Sequence, residues 1–161
     1  MERDLVIRDR TAADDADVRA FYERWHSLRV ARRGRMEHPP EHPALLAERG
    51  GRLVGVLTYV VDGTDCEVLT LHADERGTGV GTALVDRVAE VAHEAGCRRL
   101  WLITTNDNVD ALRFYQRRGF RLCALHAGAV DEARRTLKPE IPEIGDHGIP
   151  IRDEVELERD L

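Results

Sequence analysis

Three closely spaced glycines point most clearly to chemistry. Gly77, Gly79 and Gly81 follow an apolar segment and lead into an amphipathic helical pattern, within the stretch LTLHADERGTGVGTALVDRV. Glycine lets the backbone approach a ligand closely, and a helix start directs N–H groups and a positive dipole end toward an anion. The stretch lacks the lysine of a Walker A loop, and Thr82 stands where a dinucleotide-binding motif needs glycine. It therefore predicts a diphosphate site of another kind, with the pattern R-x-x-G-x-G beginning at Arg76.

A second patterned segment lies further along the chain. It reads Asn108-x-x-Ala111-x-x-Phe114-Tyr115-x-x-x-Gly119-Phe120. Considered without the motif, Phe114 and Tyr115 are more simply an aromatic pair on the buried side of a helix.

Together the two segments resemble the motifs of the GNAT superfamily, the GCN5-related N-acetyltransferases. The first is similar to the family's coenzyme A-binding loop, and the motif-level resemblance runs from about Glu67 to Phe120. The resemblance implies a mixed α/β fold, with a mostly antiparallel twisted sheet splayed between two central parallel strands and helices on both faces. It also implies an acetyl-CoA-dependent N-acetyltransferase that acetylates a primary amine of a small molecule or peptide by direct attack on the thioester, without a metal.

The resemblance assigns the donor, acetyl-CoA, to a gap between two strands, here Cys66–Leu71 and Leu100–Thr104. Pantetheine would lie in that gap as an added strand, and Asn108 would contact the cofactor. An extended amide ligand gains most from an exposed strand edge, so the physical argument agrees. The implied pantetheine contacts are the backbones of Leu69, Thr70 and Leu71, and the implied diphosphate contacts are Arg76, Gly77, Thr78, Gly79, Val80, Gly81 and Thr82.

The resemblance also suggests the catalytic pair. Tyr115 matches the family's usual general acid, and Glu67 is similar in position to an acidic residue that several members carry on this strand. Alternation predicts that Glu67 shares a strand face with Leu69 and Leu71, where partial desolvation would increase the proton affinity of a base. An ordinary strand-end glutamate, a structural ion pair and a water-mediated base remain alternatives. Ile103 stands where acetyltransferases of ribosomal proteins carry a glutamate, which disfavours that substrate class.

The periodicity of apolar residues supplies the elements that must position these groups. A strand at Leu5–Arg8 and a helix opened by Thr11–Asp14 precede a proline-rich segment, RMEHPPEHP, which is a loop or a broken helix. Three strands in an antiparallel meander then lead to a helix over Gly79–Ala95. The later elements are a strand over Leu100–Thr104, a helix over Val109–Arg118, a strand over Phe120–His126, a helical turn or two over Asp131–Leu137, and a final strand over Asp153–Asp160 with one acidic, solvated face.

Length and composition predict one domain over residues 1–161. Lysine and arginine number 24 and aspartate and glutamate 30, a net charge of −6, which disfavours nucleic-acid and anionic-membrane partners. The charged opening MERDLVIRDR and the lack of a long apolar run predict a cytoplasmic protein. Three cysteines without a CxxC pair are interpreted as small apolar residues, with Cys66 and Cys123 in strands as core or half-buried thiols. The sequence leaves open whether the protein forms a homodimer.

The letters H-x-x-E-H occur at His38–His42, but consecutive prolines there oppose the helix that a zinc peptidase needs. His72, at the end of the donor strand, could be catalytic, although a loop histidine is the more common finding.

The alternative functions are a noncatalytic acyl-CoA-binding or regulatory domain and a nucleotide-binding protein. Tyr115 favours a catalytic function over the noncatalytic one. Acidic residues in the connector and last strand predict a cationic acceptor amine. If the acceptor is anionic instead, the arginines of Arg29–Arg35 are the alternative binding set. The acidic residues are Glu132, Glu140, Glu143, Asp146, Asp153 and Glu154.

Overall fold

A computed structural model describes residues 4–75 and 77–161. The described residues form nine strands and four α-helices. In chain order these are β1 (Leu5–Asp9), α1 (Asp15–Arg24), β2 (Val30–Arg32), β3 (Arg35–Glu37), β4 (Ala44–Arg49), β5 (Arg52–Asp62), β6 (Asp65–Ala73), α2 (Val80–Glu94), β7 (Arg99–Thr105), α3 (Val109–Gln116), β8 (Arg121–His126), α4 (Ala129–Thr136) and β9 (Glu154–Asp160). Among these residues no helix is both long and apolar enough to cross a membrane.

The chain folds as two compact units. The first is built from the described residues of 4–28, 38–100 and 161, and the second from residues 29–37 and 101–160. The prediction of a single domain over residues 1–161 stays a prediction.

In the first unit, four antiparallel strands pair in the order β1-β4-β5-β6, which confirms the predicted meander. The α1 helix covers one face of this sheet, where its Val18 and Phe21 pack with Leu46 and Val56. Gly55 precedes Val56 on β5 and therefore faces the other side. A Cβ on Gly55 would lie 2.7 Å from Val80 Cγ1, so α2 packs against that opposite face.

In the second unit the strand order is β7-β9-β8, with β8 and β9 antiparallel. A separate hairpin joins β2 to β3 through Arg33 and Gly34, whose φ values are +52° and +73°. Two consecutive left-handed residues make the tight turn that suits two-residue hairpins. The sequence interpretation missed this hairpin and assigned Arg35–Glu37 to a loop or a broken helix, because three-residue strands are too short to show alternation.

Two side-chain predictions in the second unit are wrong. The acidic face of β9 is not solvated at its start, because Glu154 is only 4% exposed and accepts the backbone N–H of Arg33 from the hairpin. Cys123 is exposed rather than half-buried. It is the extra residue between Leu122 and Ala124 in the β8–β9 register, so the strand bulges there.

The close packing of α2 on Gly55 predicts a large effect of a single methyl group. Gly55→Ala should lower the free energy of unfolding by about 1–3 kcal/mol, since Val80 and Leu84 must move to admit it. Urea unfolding measures the change. Val61→Ala, at a 41% exposed position of the same strand, is the control and should cost about 0.5 kcal/mol or less. Equal stability of Gly55→Ala and the wild type would contradict this account.

Candidate active site

The glycine-rich segment is the junction between β6 and α2. Gly77 and Gly79 have φ values of +71° and +83°, and Gly79 is the N-cap of α2. These left-handed conformations suit glycine, and a Cβ on either residue would meet open space. Ala83 donates its backbone N–H to the Gly79 carbonyl at 3.0 Å, which closes the first turn.

The first turn of α2 carries Val80, Gly81 and Thr82 and contains no acidic residue. A helix start generally leaves its first N–H groups without acceptors inside the helix, so this end attracts an anion. The Thr78 hydroxyl, by contrast, donates to the Glu75 carbonyl at 3.2 Å within the loop. The junction therefore fits the diphosphate predicted for it. Arg76, the remaining predicted diphosphate contact, lies outside the described residues.

A bulge interrupts β6 just before this junction. Thr70 pairs with Thr58 and Val68 with Tyr59, so Leu69 is an extra residue without a directly opposite partner on β5. A bulge of this kind disrupts the ladder locally and leaves the extra residue unpaired in it. The predicted pantetheine contacts, the backbones of Leu69, Thr70 and Leu71, are thus placed at and just after the irregularity.

The same bulge overturns the predicted side-chain face of Glu67. Glu67 pairs with Val60 and Thr70 with Thr58, and directly opposite residues share a face, so Glu67 lies with Thr70 and not with Leu71. Strict alternation gave the wrong face because one extra residue shifts the alternation by one. Glu67 is 4% exposed, more buried than a strand-end glutamate normally is. Its role as the base stays a prediction.

A histidine on this face belongs to a packed polar cluster at the end of β6. The His72 ring stacks on Trp25, with 5.1 Å between centroids and 8° between planes, and its Nε2 lies 2.6 Å from Ser27 Oγ. The indole Nε1 donates to Asp74 at 3.2 Å, and the Arg24 guanidinium bonds the same carboxylate at 2.7 Å. Burial lowers the pKa of His72 to about 4, so the imidazole is neutral near pH 7.

The sequence singled out His72 but not its partners. Trp25 and Ser27 follow the end of α1, and their contact with β6 arises from the packing of distant segments. The helical spacing of Trp25 with the apolar residues of α1 was the only signal that it faces the sheet.

Tyr115 belongs to the second unit, on α3, and is 7% exposed. Its ring makes edge-on contacts with Phe114 and Phe120, at centroid distances of 5.1 and 5.3 Å. Burial raises the pKa of the phenol, and Arg118 lowers it in part. Tyr115 is therefore protonated near neutral pH, which is the state a general acid needs before it acts. The aromatic packing and the proton-donor role are compatible.

Asn108 lies in the second unit as the N-cap of α3, where its Oδ1 accepts the Ala111 N–H at 3.2 Å. Its contact with the cofactor stays a prediction. The two residues before it also have structural roles that sequence reasoning missed. Asn106 Oδ1 accepts the N–H groups of Arg152 and Asp153 at 2.9 and 3.0 Å, and Asp107 Oδ2 accepts that of Asp146 at 3.0 Å. They anchor the long connector to the loop after β7.

The H-x-x-E-H letters fall on a short 3-10 turn at Pro39–Glu41, not on an α-helix. Within residues 4–75 and 77–161, no group of three or more histidine, cysteine, aspartate or glutamate residues is placed to hold a metal ion.

A sequence model described as the acetyltransferase (GNAT) family matches residues 10–120. The chain belongs to this acetyltransferase family. The uncharacterized protein YdhI of Bacillus subtilis is 51% identical over 105 residues, which are 65% of this chain and 65% of YdhI. The match thus covers a little less than two thirds of that relative.

Solved GNAT structures share the fold over nearly the whole chain. An IAA acetyltransferase from Bacillus cereus superposes with a TM-score of 0.72 at 22% identity, covering 98% of this chain and 100% of its own. A GNAT family acetyltransferase from Elizabethkingia anophelis, solved with acetyl-CoA bound, gives a TM-score of 0.69 at 19% identity, covering 98% of each chain. The predicted fold class, a mixed α/β GNAT fold, is confirmed.

The depressed pKa of His72 predicts a specific dependence of stability on pH. The unfolded chain protonates this histidine near pH 6.5 and the folded chain only near 4. Between these values the unfolded state binds the extra proton, so stability falls as pH falls, by up to about 1.4 kcal/mol per pH unit. His72→Gln should remove this contribution from the slope of unfolding free energy measured by urea titration between pH 7 and 5. Val61→Ala, which keeps His72, should retain the wild-type slope, and an unchanged slope in His72→Gln would refute the assignment.

Proposed function

We propose that the chain is an acetyl-CoA-dependent N-acetyltransferase that acetylates a primary amine of a small molecule or peptide. The observation that carries the proposal is the junction from the bulged strand β6 through Gly77 and Gly79 into the acid-free first turn of α2. Such a junction suits a ligand with an extended amide arm and a diphosphate. The acetyl-CoA bound in the Elizabethkingia anophelis relative supports the same donor.

For the donor, we assign diphosphate binding to the backbone N–H groups from Gly77 to Thr82. Leu69, Thr70 and Leu71 would offer backbone groups to the pantetheine amides. A bulge favours this use, because the extra residue Leu69 has no directly opposite partner on β5. Asn108 is assigned a further contact with the donor.

In the proposed reaction the amine nitrogen attacks the thioester carbonyl carbon. A C–N bond forms, the C–S bond breaks, and the sulfur leaves as a thiolate. The Tyr115 phenol, kept protonated by burial, gives its proton to that sulfur, and the amine loses one proton to a base. Glu67 is the proposed base, directly or through water. Its position on the face of Thr70, on the strand assigned to pantetheine, supports the assignment.

The donor site predicts a loss of binding when Gly79 acquires a side chain. Wild-type protein should melt at a higher temperature with acetyl-CoA, by an amount equivalent to about 2.7 kcal/mol at a hundred times the dissociation constant. Gly79→Leu should abolish this shift, because the side chain occupies the space in front of the helix start.

Gly63→Leu is the matched control. Gly63 also has a positive φ and open space beside it, but it lies in the turn between β5 and β6. It should carry a comparable backbone strain and keep the acetyl-CoA shift. Loss of the shift in both variants, or a larger shift with NAD or ATP than with acetyl-CoA, would contradict the donor site.

Substitution of Tyr115 tests its proposed role as the general acid. Tyr115→Phe keeps the ring and removes the proton, so kcat should fall by about 10² to 10⁴ with little change in donor affinity. Release of coenzyme A across a panel of amines measures turnover. Tyr59→Phe, on β5, is the control and should keep wild-type turnover. Undiminished turnover in Tyr115→Phe would assign that ring to packing alone.

A further inference from the structure

A concave site lies within the second unit. It is a cleft of about 330 Å³ between the tip of the β2–β3 hairpin, helix α4 and the start of β9. Glu154 lines it from β9, Arg33 from the hairpin, and Glu132 from α4. A cleft with a few convergent polar groups and an apolar wall is the usual form of a small-molecule site.

The carboxylate of Glu154 is the unusual group in this cleft. It is 96% buried, since 4% of its surface is exposed, and it still lines the open volume. Within the described residues, its hydrogen-bond donor is one backbone N–H, that of Arg33, at 3.0 and 3.2 Å from the two oxygens. A carboxylate can accept about four hydrogen bonds, and a buried charge is costly unless it is paired. Glu154 therefore retains capacity for a cationic donor.

Helix α4 supplies an apolar wall beside this carboxylate. Ala129, Ala133 and Leu137 line the cleft at intervals of four residues, so they lie along one side of the helix and its C-cap. Glu132 also lines it and pairs with Arg135. A carboxylate next to a strip of small aliphatic side chains complements an ammonium group on an alkyl chain.

Arg33 lines the cleft too, and its charge would oppose a cation. Its guanidinium carbon lies 5.2 Å from the centroid of the Trp101 ring, a cation–π contact that engages this side chain. The group that Arg33 directs at Glu154 is its backbone N–H.

Some of the acidic residues that the sequence suggested for binding a cationic acceptor already have partners in the structure. Glu140 forms an ion pair with Arg29, and Asp153 accepts the N–H of Gly128 at 2.8 Å. Glu154 combines burial, open volume and unused acceptor capacity. We propose that this cleft binds the alkylammonium group of a cationic amine, with Glu154 as its counter-ion, and holds the non-reacting end of a diamine or polyamine acceptor. The second half of this statement rests on the proposed acetyltransferase function.

The test measures amine binding without any donor. Isothermal titration of the full chain with 1,4-diaminobutane and with butylamine should show binding, and 1-butanol should show none. Glu154→Gln keeps an oxygen for the Arg33 N–H and removes the charge, so it should weaken diamine binding about tenfold or more. Glu143→Gln removes the same charge from an exposed connector position and should bind like the wild type.

A second variant covers the case in which Glu154→Gln does not fold. Ala129→Leu fills the cleft from α4 and keeps Glu154, so it should also weaken binding. Equal binding of 1-butanol, wild-type affinity in both variants, or tighter binding of an anionic amine would overturn the site.

Turnover separates this proposal from the proposed function. With 1,4-diaminobutane as acceptor, Glu154→Gln should raise KM about tenfold and leave kcat nearly unchanged. Glu154-dependent binding in a protein that never releases coenzyme A would support the cleft and refute the enzyme activity. Diamine turnover with an unchanged KM in Glu154→Gln would support the activity and overturn the assignment of the cleft to the acceptor.

Discussion

One extra residue in β6 determines which side chains the neighbouring elements must accommodate. Because Leu69 has no partner on β5, the strand reverses its alternation at that point, and Glu67 shares a face with Thr70. Buried polar groups need hydrogen-bond partners, and the threonine finds one directly. Its hydroxyl donates to Thr58 Oγ1 at 2.9 Å, and Thr58 in turn bonds the Tyr22 hydroxyl of α1. The bulge thus explains why the otherwise apolar face of α1 carries a tyrosine, whose hydroxyl bonds this threonine pair.

The sequence predicted elements well where a single local rule was sufficient. The amphipathic period of α2 placed its ends within one residue, and glycine turns placed the β4–β5–β6 meander. The errors occur where a second segment intervenes. The face of Glu67 depends on a register that β5 imposes, and the burial of Glu154 depends on a hairpin 121 residues earlier in the chain. No local pattern encodes either contact.

The net charge also shows how far prediction from the sequence can go. A net charge of −6 predicts a general attraction for cations, but many acidic groups are already paired. Arg8 holds both Asp14 and Glu48, at 2.7 and 2.6 Å, and its hydrogen bond is the main cause of the lowered pKa of Asp14. The opposite charges of such pairs cancel one another's fields at a distance. Selectivity for a charged ligand must then come from a buried group at short range, and the overall charge cannot identify which one.

Donor and acceptor recognition leave different traces in the sequence because they use different atoms. A diphosphate is bound largely by backbone N–H groups, and the backbone can approach it only where residues are small and can adopt positive φ. That requirement restricts residue types at fixed spacing, so Gly77 and Gly79 produce a visible motif. An amine is recognised by side-chain carboxylates, whose environment is set by tertiary contacts such as that between Glu154 and Arg33. A single glutamate in a strand gives no motif in the sequence, and only its burial beside an open cleft distinguishes it from other glutamates. The family motif can therefore predict a donor from the sequence, whereas a proposal for the acceptor needs the three-dimensional structure.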